Sequence, residues 1–326
     1  MSTIQRRLCA ALSAFALVGF AVQAQPSDYP KGPVRFVVPY QAGSTPDLMA
    51  RHVAERLAGA LRQPVVVDNK PGAGGMLGAS LAAKAVPDGL TLVYLANQHL
   101  VHPYVTRSMP YDLLKDFSPV ALLGSSEQVL VVPAASPYKN TQSMVEAGRA
   151  QAGKLTFGTG GIGSPAHLGA EALAAAGNFQ AIHIPFKGAP ETLNALIGGQ
   201  IDFTVTNLGS AIPYIKNGQV RALAVTGAQR TALLPEVPTM VEAVPPGFVF
   251  ETWGVVAVPA GVPLPVQQQL NALIKQIVTD PAGAEFWSRV GLRPAGKESL
   301  TEVAAFLSQQ ARLTQSLARA AGLKPE

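Results

Sequence analysis

Two loops in this sequence combine glycines, hydroxyl side chains and the start of a predicted helix, which suits them to bind a charged group. The first loop, Pro39 to Asp47, follows a predicted strand and includes Gly43, Ser44 and Thr45. Glycine lets the backbone approach a ligand, and a helix N-terminus presents unpaired N–H groups with a partial positive charge. This loop is therefore either an anion site without a cationic side chain or an ordinary capped turn. Asp47 fits a role at the helix dipole better than a ligand contact.

The second loop, Gly158 to Ser164, also joins a predicted strand to a predicted helix and matches the spacing G-x-G-x-x-G of dinucleotide sites. The next predicted strand ends at Phe186 and Lys187, where a dinucleotide site would carry an acid for the ribose. A small anion is therefore favoured over a nicotinamide cofactor. The glycine-rich segment Pro71 to Gly75 is not followed by the Gly-Lys-Ser/Thr of a phosphate loop, so we do not assign it a phosphate site. A third candidate loop, Asn97-Gln98-His99, follows the predicted strand at 91–95.

Catalytic and metal chemistry have weaker support. Ser164 is not in a G-x-S-x-G elbow, although His167 lies one helical turn beyond it and could contact it. A hydrolase that uses these two residues is the enzyme alternative. His99 and His102 form a close pair, read here as loop residues, that no carboxylate joins at ligand spacing. We predict no catalytic residue, no metal and no cofactor.

The elements that position these loops follow a repeated strand–helix order. Apolar, β-rich runs predict strands at 34–38, 65–67 and 91–95, with helices at 46–62 and up to about residue 84 between them. A similar cycle begins after residue 125 and is followed by a helical C-terminal segment. This order predicts parallel sheets covered by helices on both faces. We expect lobe one at 25–124 and 250–326 and lobe two at 125–249, with hinges near 120–130 and 245–255.

The N-terminus predicts export. Arg6 and Arg7 precede an apolar stretch, and Val22-Gln23-Ala24 has the small-x-small pattern of a signal peptidase site, so residues 1–24 read as a signal peptide cleaved after Ala24. Cys9, the only cysteine, would be lost with it. The net charge of +5 falls to 23 − 20 = +3 without the two arginines, and the absence of basic blocks argues against nucleic acid as the partner.

Several blocks of the sequence, in order, resemble the substrate-binding proteins of tripartite tricarboxylate transporters, the Bug family. The resemblance runs from about Tyr29 to Leu323. The blocks are Val37 to Asp47, Gln63 to Gly75, Pro87-Asp88-Gly89, Tyr111-Asp112, Lys115-Asp116-Phe117, Gly158 to Ser164 with His167, Pro185 to Gly188, Gly198 to Asp202, Arg221 to Thr226 and Leu234 to Thr239. One departure is Gly43-Ser44, where many members have Gly-Gly, and it affects the expected size and orientation of the ligand.

The resemblance implies an α/β, two-lobed periplasmic binding protein of type II with the ligand cleft between its lobes. It implies a small carboxylate ligand: a di- or tricarboxylate, an acidic amino acid or an aromatic acid. The ligand would be held mainly by backbone amides, hydroxyls and water. Carried onto this chain, the implied ligand residues are Tyr40, Ala42, Gly43, Ser44, Thr45 and Asp47 in lobe one. In lobe two they are Thr159, Gly160, Gly161, Gly163, Ser164, His167, Asp202 and Asn207. Asn97 is a further candidate because its own position follows a predicted strand in the third loop, not because of the resemblance.

The sequence therefore predicts a periplasmic solute-binding receptor, not an enzyme, that delivers a carboxylate to integral membrane transporter subunits through transient contacts. We expect a monomer. Two alternatives stay open: the exported hydrolase with Ser164 and His167, and a ligand sensor for a membrane kinase with the same binding lobes. The sequence does not separate transport from sensing because the partner surface carries no readable motif.

Overall fold

The computed structural model describes residues 29–151, 153–320 and 322–325. The predicted signal peptide, residues 1–24 with its cleavage site after Ala24, lies outside this described part. Within it, no helix combines the length and the apolar character that a membrane span needs.

Lobe one is built on a mixed sheet. Its parallel strands are β1 (Val34–Val38), β2 (Val65–Asn69) and β3 (Thr91–Ala96), with β1 in the centre. The antiparallel strands β4 (Phe117–Pro133), β9 (Glu251–Pro259) and β10 (Arg293–Pro294) extend it to the order β2-β1-β3-β9-β4-β10. Because this sheet is covered on both faces, its central strands are almost entirely buried.

Helices cover both faces of this sheet. They are α1 (Thr45–Leu61), α2 (Met76–Ala83), α3 (Asn97–Val105), α4 (Leu113–Asp116), α10 (Leu264–Thr279), α11 (Ala284–Arg289) and α12 (Leu300–Ala320), with 3₁₀ turns at Ala73–Gly75 and Pro281–Gly283. Met49, Val53 and Leu57 recur at helical spacing on α1 and are buried against the sheet. The β1–α1 loop therefore leaves the sheet at the carboxyl edge of β1, where ligands of α/β proteins bind.

Lobe two has a second set of strands. These are β5 (Leu155–Thr159), β6 (Ala181–Pro185), β7 (Thr204–Asn207) and β8 (Val220–Val225). β5 and β6 are parallel, and β7 and β8 each pair antiparallel with β4. Its helices are α5 (Thr141–Ala150), α6 (Pro165–Gly177), α7 (Ala189–Ile197), α8 (Leu208–Lys216) and α9 (Met240–Ala243).

The two lobes have separate hydrophobic cores. The buried clusters around the first sheet draw on residues 34–123 and 253–307, and those of the second on residues 129–244. The strand β4 runs through both lobes, pairing with β9 in one and with β7 and β8 in the other. The predicted boundary at 124/125 falls within β4, and the one at 249/250 falls directly before β9. As boundaries, both stay a prediction.

A fifth apolar cluster joins the lobes on one side. Five side chains are buried together here: Val101 of α3, Leu168 and Ala172 of α6, Leu317 of α12, and Phe250, which directly precedes β9. We call these five residues the cross-lobe cluster. The C-terminal helix thus packs against both lobes and not only against the first.

Candidate functional site

A cleft between the lobes holds two connected compartments. The larger, about 810 Å³, lies between the start of α1, the start of α8 and the segment 286–292. The smaller, about 180 Å³, lies against lobe two and is rich in threonine. We call them the apolar compartment and the threonine compartment. Asn207 and Thr252 line both, so the two are continuous.

The second predicted loop forms part of the threonine compartment. Thr159, Gly160 and Ser164 line it, together with hydroxyl side chains from the neighbouring strands and helices. The Thr159 hydroxyl accepts a hydrogen bond from the Gly161 amide at 3.1 Å and lies 2.6 Å from Nε2 of His183. This loop is therefore held rigidly where it meets the cleft.

The loop leads into the N-terminus of α6, which Ser164 caps. Its hydroxyl oxygen accepts from the amide of His167 at 3.3 Å, and Pro165 occupies the first helical turn. The His167 ring is buried and its Nδ1 accepts from the Gly163 amide at 3.1 Å. His167 thus closes the loop onto the helix.

A second helix start faces the same cleft. Asn207 caps α8, its Oδ1 accepting from the Ser210 amide at 3.4 Å. Its Nδ2 donates to the Ser126 hydroxyl at 3.0 Å. An amide nitrogen carries two hydrogens, so one donor of Asn207 is left for the cleft.

Gln128 contributes a buried amide to the threonine compartment. The residue is 2% exposed, and its Oε1 has no hydrogen-bond partner among the described residues. A half-turn of the amide exchanges its oxygen and its NH₂ group, so Gln128 can present either to a ligand. A buried polar group without a partner is costly, which marks this one as a position that a ligand or water completes.

The first predicted loop lines the cleft less than expected, because the carboxylate of Asp47 already binds the backbone amide of Gly43. This buried carboxylate accepts from the Gly43 amide at 2.8 Å, from Nε of Arg51 at 3.0 Å and from Nδ2 of Asn69 at 2.8 Å. Burial alone would raise the pKa of Asp47, but the bonds from Arg51, Gly43 and Asn69 outweigh it and hold the pKa below its usual value. The protein thus supplies its own anion at this helix start.

The other residues of the first loop divide between cleft, surface and packing. Thr45 lines the apolar compartment. Ala42 and Gly43 are exposed, and the Ser44 hydroxyl donates to the Gln41 carbonyl at 2.6 Å. The Tyr40 ring packs edge-on against two neighbouring rings of lobe one.

Four further candidates do not line either compartment. Asn97 binds backbone, its Nδ2 donating to the Glu251 carbonyl and its Oδ1 accepting from the Trp253 amide, each at 2.9 Å. Asp202 accepts from the amide and the hydroxyl of Thr156, near the start of β5 and away from its carboxyl end. We therefore leave both out of the proposed site.

The other two are glycines of the second loop, Gly161 and Gly163, whose backbone φ angles of 118° and 73° favour glycine. Gly163 faces Val101 of the other lobe so closely that an added Cβ would lie 3.1 Å from it. Their role is to shape the loop and to let the lobes approach.

The geometry does not assemble a hydrolase. The Ser164 hydroxyl is hydrogen-bonded to the backbone amide of His167 and not to its side chain. The imidazole ring of His167 instead stacks on the ring of His183, with 4.2 Å between the ring centroids. The nucleophile–base hydrogen bond that such chemistry needs is therefore missing. The described residues also contain no cluster of three His, Cys, Asp or Glu side chains suited to a metal.

The reading of His99 and His102 as loop residues is wrong, because both lie on α3. That segment, predicted as a polar loop, begins a helix at Asn97. Burial lowers the pKa of His99 to about 3, the nearby His102 adding to the effect, and lowers that of His102 to about 4. Both rings are therefore neutral packing residues near pH 7.

Sequence reasoning missed the polar residues that alternate along buried strands. Ser126 and Gln128 are two apart on β4, and Thr204 and Thr206 are two apart on β7. Residues two apart on a strand share one face, so this spacing places them all toward the cleft. Polar side chains at alternate positions of an otherwise apolar strand were the available signal for a polar cavity.

Known proteins are similar to this chain in sequence and in fold. A protein from Pseudomonas sp. (strain P51), described as the UPF0065 protein in the tcbD-tcbE intergenic region, is 36% identical over 298 residues, covering 91% of this chain and 89% of its own. The solved periplasmic binding protein BugD is 30% identical with a TM-score of 0.75, covering 91% of this chain and 100% of that one.

Two further solved structures contain a bound acid. A protein of R. palustris solved with adipate is 30% identical, with a TM-score of 0.78 and coverage of 92% of this chain and 100% of that chain. MatC from Rhodopseudomonas palustris, solved with bound malate, is 27% identical, with a TM-score of 0.74, and the match covers 89% of this chain and 100% of MatC.

These likenesses confirm the α/β fold of a type II periplasmic binding protein. The sequence pattern of the family described as tripartite tricarboxylate transporter family receptor matches residues 49–323. It is a family of binding proteins and not of enzymes, which also agrees with the missing nucleophile–base contact. This chain belongs to the tripartite tricarboxylate transporter receptor family.

Proposed function

We propose that this chain is an exported receptor that captures a small carboxylate in the cleft between its lobes. It delivers the ligand to integral membrane subunits of a tripartite transporter, which it contacts transiently as a monomer. The observation that carries this proposal is the threonine compartment, where the side chains of Ser164, Asn207 and Gln128 meet at the capped starts of α6 and α8. None of the described residues that line it is charged.

Such a compartment suits a carboxylate held by neutral donors. Each hydrogen bond to a charged group contributes about 1.5–3 kcal/mol, and the partial positive charge of a helix start adds to it. Three or four such bonds, less the ordering of ligand and lobes, are enough for micromolar affinity, about −8 kcal/mol. The ligand residues we propose are Gly160, Ser164, Asn207 and Gln128, with Thr45 from lobe one. Thr159 lines the compartment, but its hydroxyl is already bonded to Gly161 and His183.

The relatives support the ligand class. One is solved with adipate and one with malate, both carboxylates. Closure on the ligand needs no covalent step, only higher affinity for the closed arrangement than for the open one.

Thermal melting of residues 25–326 against a panel of carboxylic acids and their neutral amides tests this function. A ligand present at about 100 times its dissociation constant adds about 2.7 kcal/mol to the free energy of unfolding, which raises the melting midpoint measurably. We expect a saturable rise with an acid and none with its amide. A panel in which no acid raises the midpoint would contradict the proposal.

Export is tested separately. We propose cleavage after Ala24, so that the mature protein begins at Gln25 in the periplasm. Mass spectrometry of the protein released from the periplasm should give the mass of residues 25–326. A mass that includes residues 1–24 would contradict cleavage without affecting the ligand proposal.

A further inference from the structure

The walls of the apolar compartment expose large hydrophobic side chains. Leu48 of α1 is 42% exposed and Leu233 is 55% exposed, and they face the same cleft from different lobes. Ile212, Phe286 and Leu292 extend the apolar lining. Exposed hydrophobic side chains that converge on a concave surface mark the place of an apolar ligand group.

The charges of the cleft limit how many carboxylates the ligand can bring. Arg289 is the only charged residue among the described residues that line either compartment. It is exposed, at the end of α11. A carboxylate leaves water readily only where charged or hydrogen-bonding groups replace its hydration. One carboxylate fits the donors of the threonine compartment. In the other compartment a second carboxylate would have the exposed Arg289 and scattered hydroxyls, such as those of Thr45 and Ser288, to replace its hydration, among large exposed hydrophobic side chains.

The two compartments join at Asn207 and Thr252, so one ligand can occupy both. We propose that the ligand is a monocarboxylic acid whose apolar alkyl or aryl body lies in the apolar compartment while its carboxylate lies in the threonine compartment. This inference rests on the proposed function, because it names the class of acid that the same cleft selects. Relatives solved with malate and with adipate leave that class open for this chain.

A series of unbranched monocarboxylic acids from propanoate to octanoate, with succinate and citrate beside them, tests the proposal by calorimetry. Each methylene removed from water contributes about 0.8 kcal/mol, so affinity should rise about fourfold per methylene until the compartment is full. Succinate and citrate should bind more weakly than the longer monocarboxylates. Tighter binding of succinate or citrate, with no rise along the series, overturns this inference and leaves the carboxylate function standing. Failure of every acid overturns the function itself.

A matched pair of variants locates the apolar body. Leu233→Asp places a charge in the apolar wall at an exposed position, and we expect at least a tenfold loss of octanoate affinity. Leu264→Asp is the control, because Leu264 is 58% exposed and lines neither compartment. We expect the affinity of Leu264→Asp for octanoate to stay within twofold of that of the unmodified protein. Equal affinities for octanoate in the two variants, with unchanged melting midpoints, would overturn the placement.

Discussion

Replacing Asn207 by alanine separates a ligand contact from a helix cap. Asn207 makes two hydrogen bonds within the protein, to the Ser210 amide and to the Ser126 hydroxyl. Its remaining Nδ2 hydrogen faces a cleft shared by both compartments. The substitution Asn207→Ala therefore removes a cap, a link to the strand β4 and one donor for a bound carboxylate.

The expected magnitudes follow from these contacts. Loss of an asparagine cap costs about 1 kcal/mol of stability, and loss of a neutral hydrogen bond about 1 kcal/mol more. Loss of a donor to a charged ligand costs about 1.5–3 kcal/mol of binding free energy, which is roughly a 10- to 150-fold rise in the dissociation constant. Isothermal titration with the best acid from the melting panel measures the second effect.

The control is another asparagine cap far from the cleft. Asn140 caps α5, its side chain accepting from the Ser143 amide at 2.8 Å, and it lines neither compartment. Asn140→Ala should lower stability by about 1 kcal/mol and leave ligand affinity within twofold. If Asn207→Ala weakens binding no more than Asn140→Ala does, Asn207 is only a cap and the reasoning about its free donor is refuted.

Three further predictions concern buried polar groups. Gln128→Glu should weaken carboxylate binding at least 100-fold in calorimetry, because it places a buried anion beside the ligand, whereas a wild-type affinity would remove Gln128 from the site. Asp47→Asn should lower the free energy of unfolding in urea by about 2 kcal/mol and change ligand affinity less than threefold, since its carboxylate bonds only protein groups. The pKa of Asp47 is lowered in the folded state, so its contribution to stability is present above the unfolded pKa of about 3.9 and is lost as the pH falls below it. Asp47→Asn should lack this acid loss of stability. Parallel curves of unfolding free energy against pH for the two proteins would contradict the prediction. The pKa of His102 is about 4 in the folded state and about 6.5 in the unfolded state, so as the pH is lowered between these values only the unfolded state binds the proton. The free energy of unfolding should therefore fall by at most about 1.4 kcal/mol for each pH unit of acidification. In urea unfolding at a series of pH values, His102→Gln should show a shallower fall, and an unchanged dependence on pH would refute the assignment.

The short parallel strands and their following helices were predictable because their signals are local. Val34 to Val38 is an apolar run ended by a proline, and α1 begins with Pro46 in its first turn. The sequence predicts only that a second strand–helix cycle begins after residue 125, yet β4 already begins at Phe117 and spans Phe117–Pro133. Pro119 and Gly124 interrupt its pattern, and pairing with β9, more than 120 residues away, makes it continuous.

The helix α3 was missed for a similar reason. Pro103 lies inside it and argues against a helix from local sequence. Burial of its apolar face against α12 and α6 stabilises the helix despite that proline. Local signals therefore lose to contacts between residues that are distant in the chain.

For the site, the second loop could be singled out from the sequence because its glycines and its capped helix are read from neighbouring residues. That it lines the cleft agrees with this, and its contact with a ligand stays a prediction. The local sequence favoured a helix-dipole role for Asp47, and only the family resemblance added it to the ligand set. Its carboxylate binds Gly43, Arg51 and the more distant Asn69. The Asn97 side chain binds backbone groups more than 150 residues away. Gln128 was overlooked because its missing partner is a property of three-dimensional packing. A sequence shows which polar groups exist, but only the fold shows which are left unpaired.

The neutral lining of the threonine compartment has a consequence for the speed of capture. Charged clefts draw oppositely charged ligands from a distance, and salt at 0.1 M screens that attraction at separations beyond about 10 Å. Here the donors are amides and hydroxyls whose fields act only at contact, with Arg289 as the one charged lining residue of the described part. The rate constant for ligand association should therefore change little between low and high ionic strength. This suits a receptor in the periplasm, where the ionic strength follows that of the medium outside the cell.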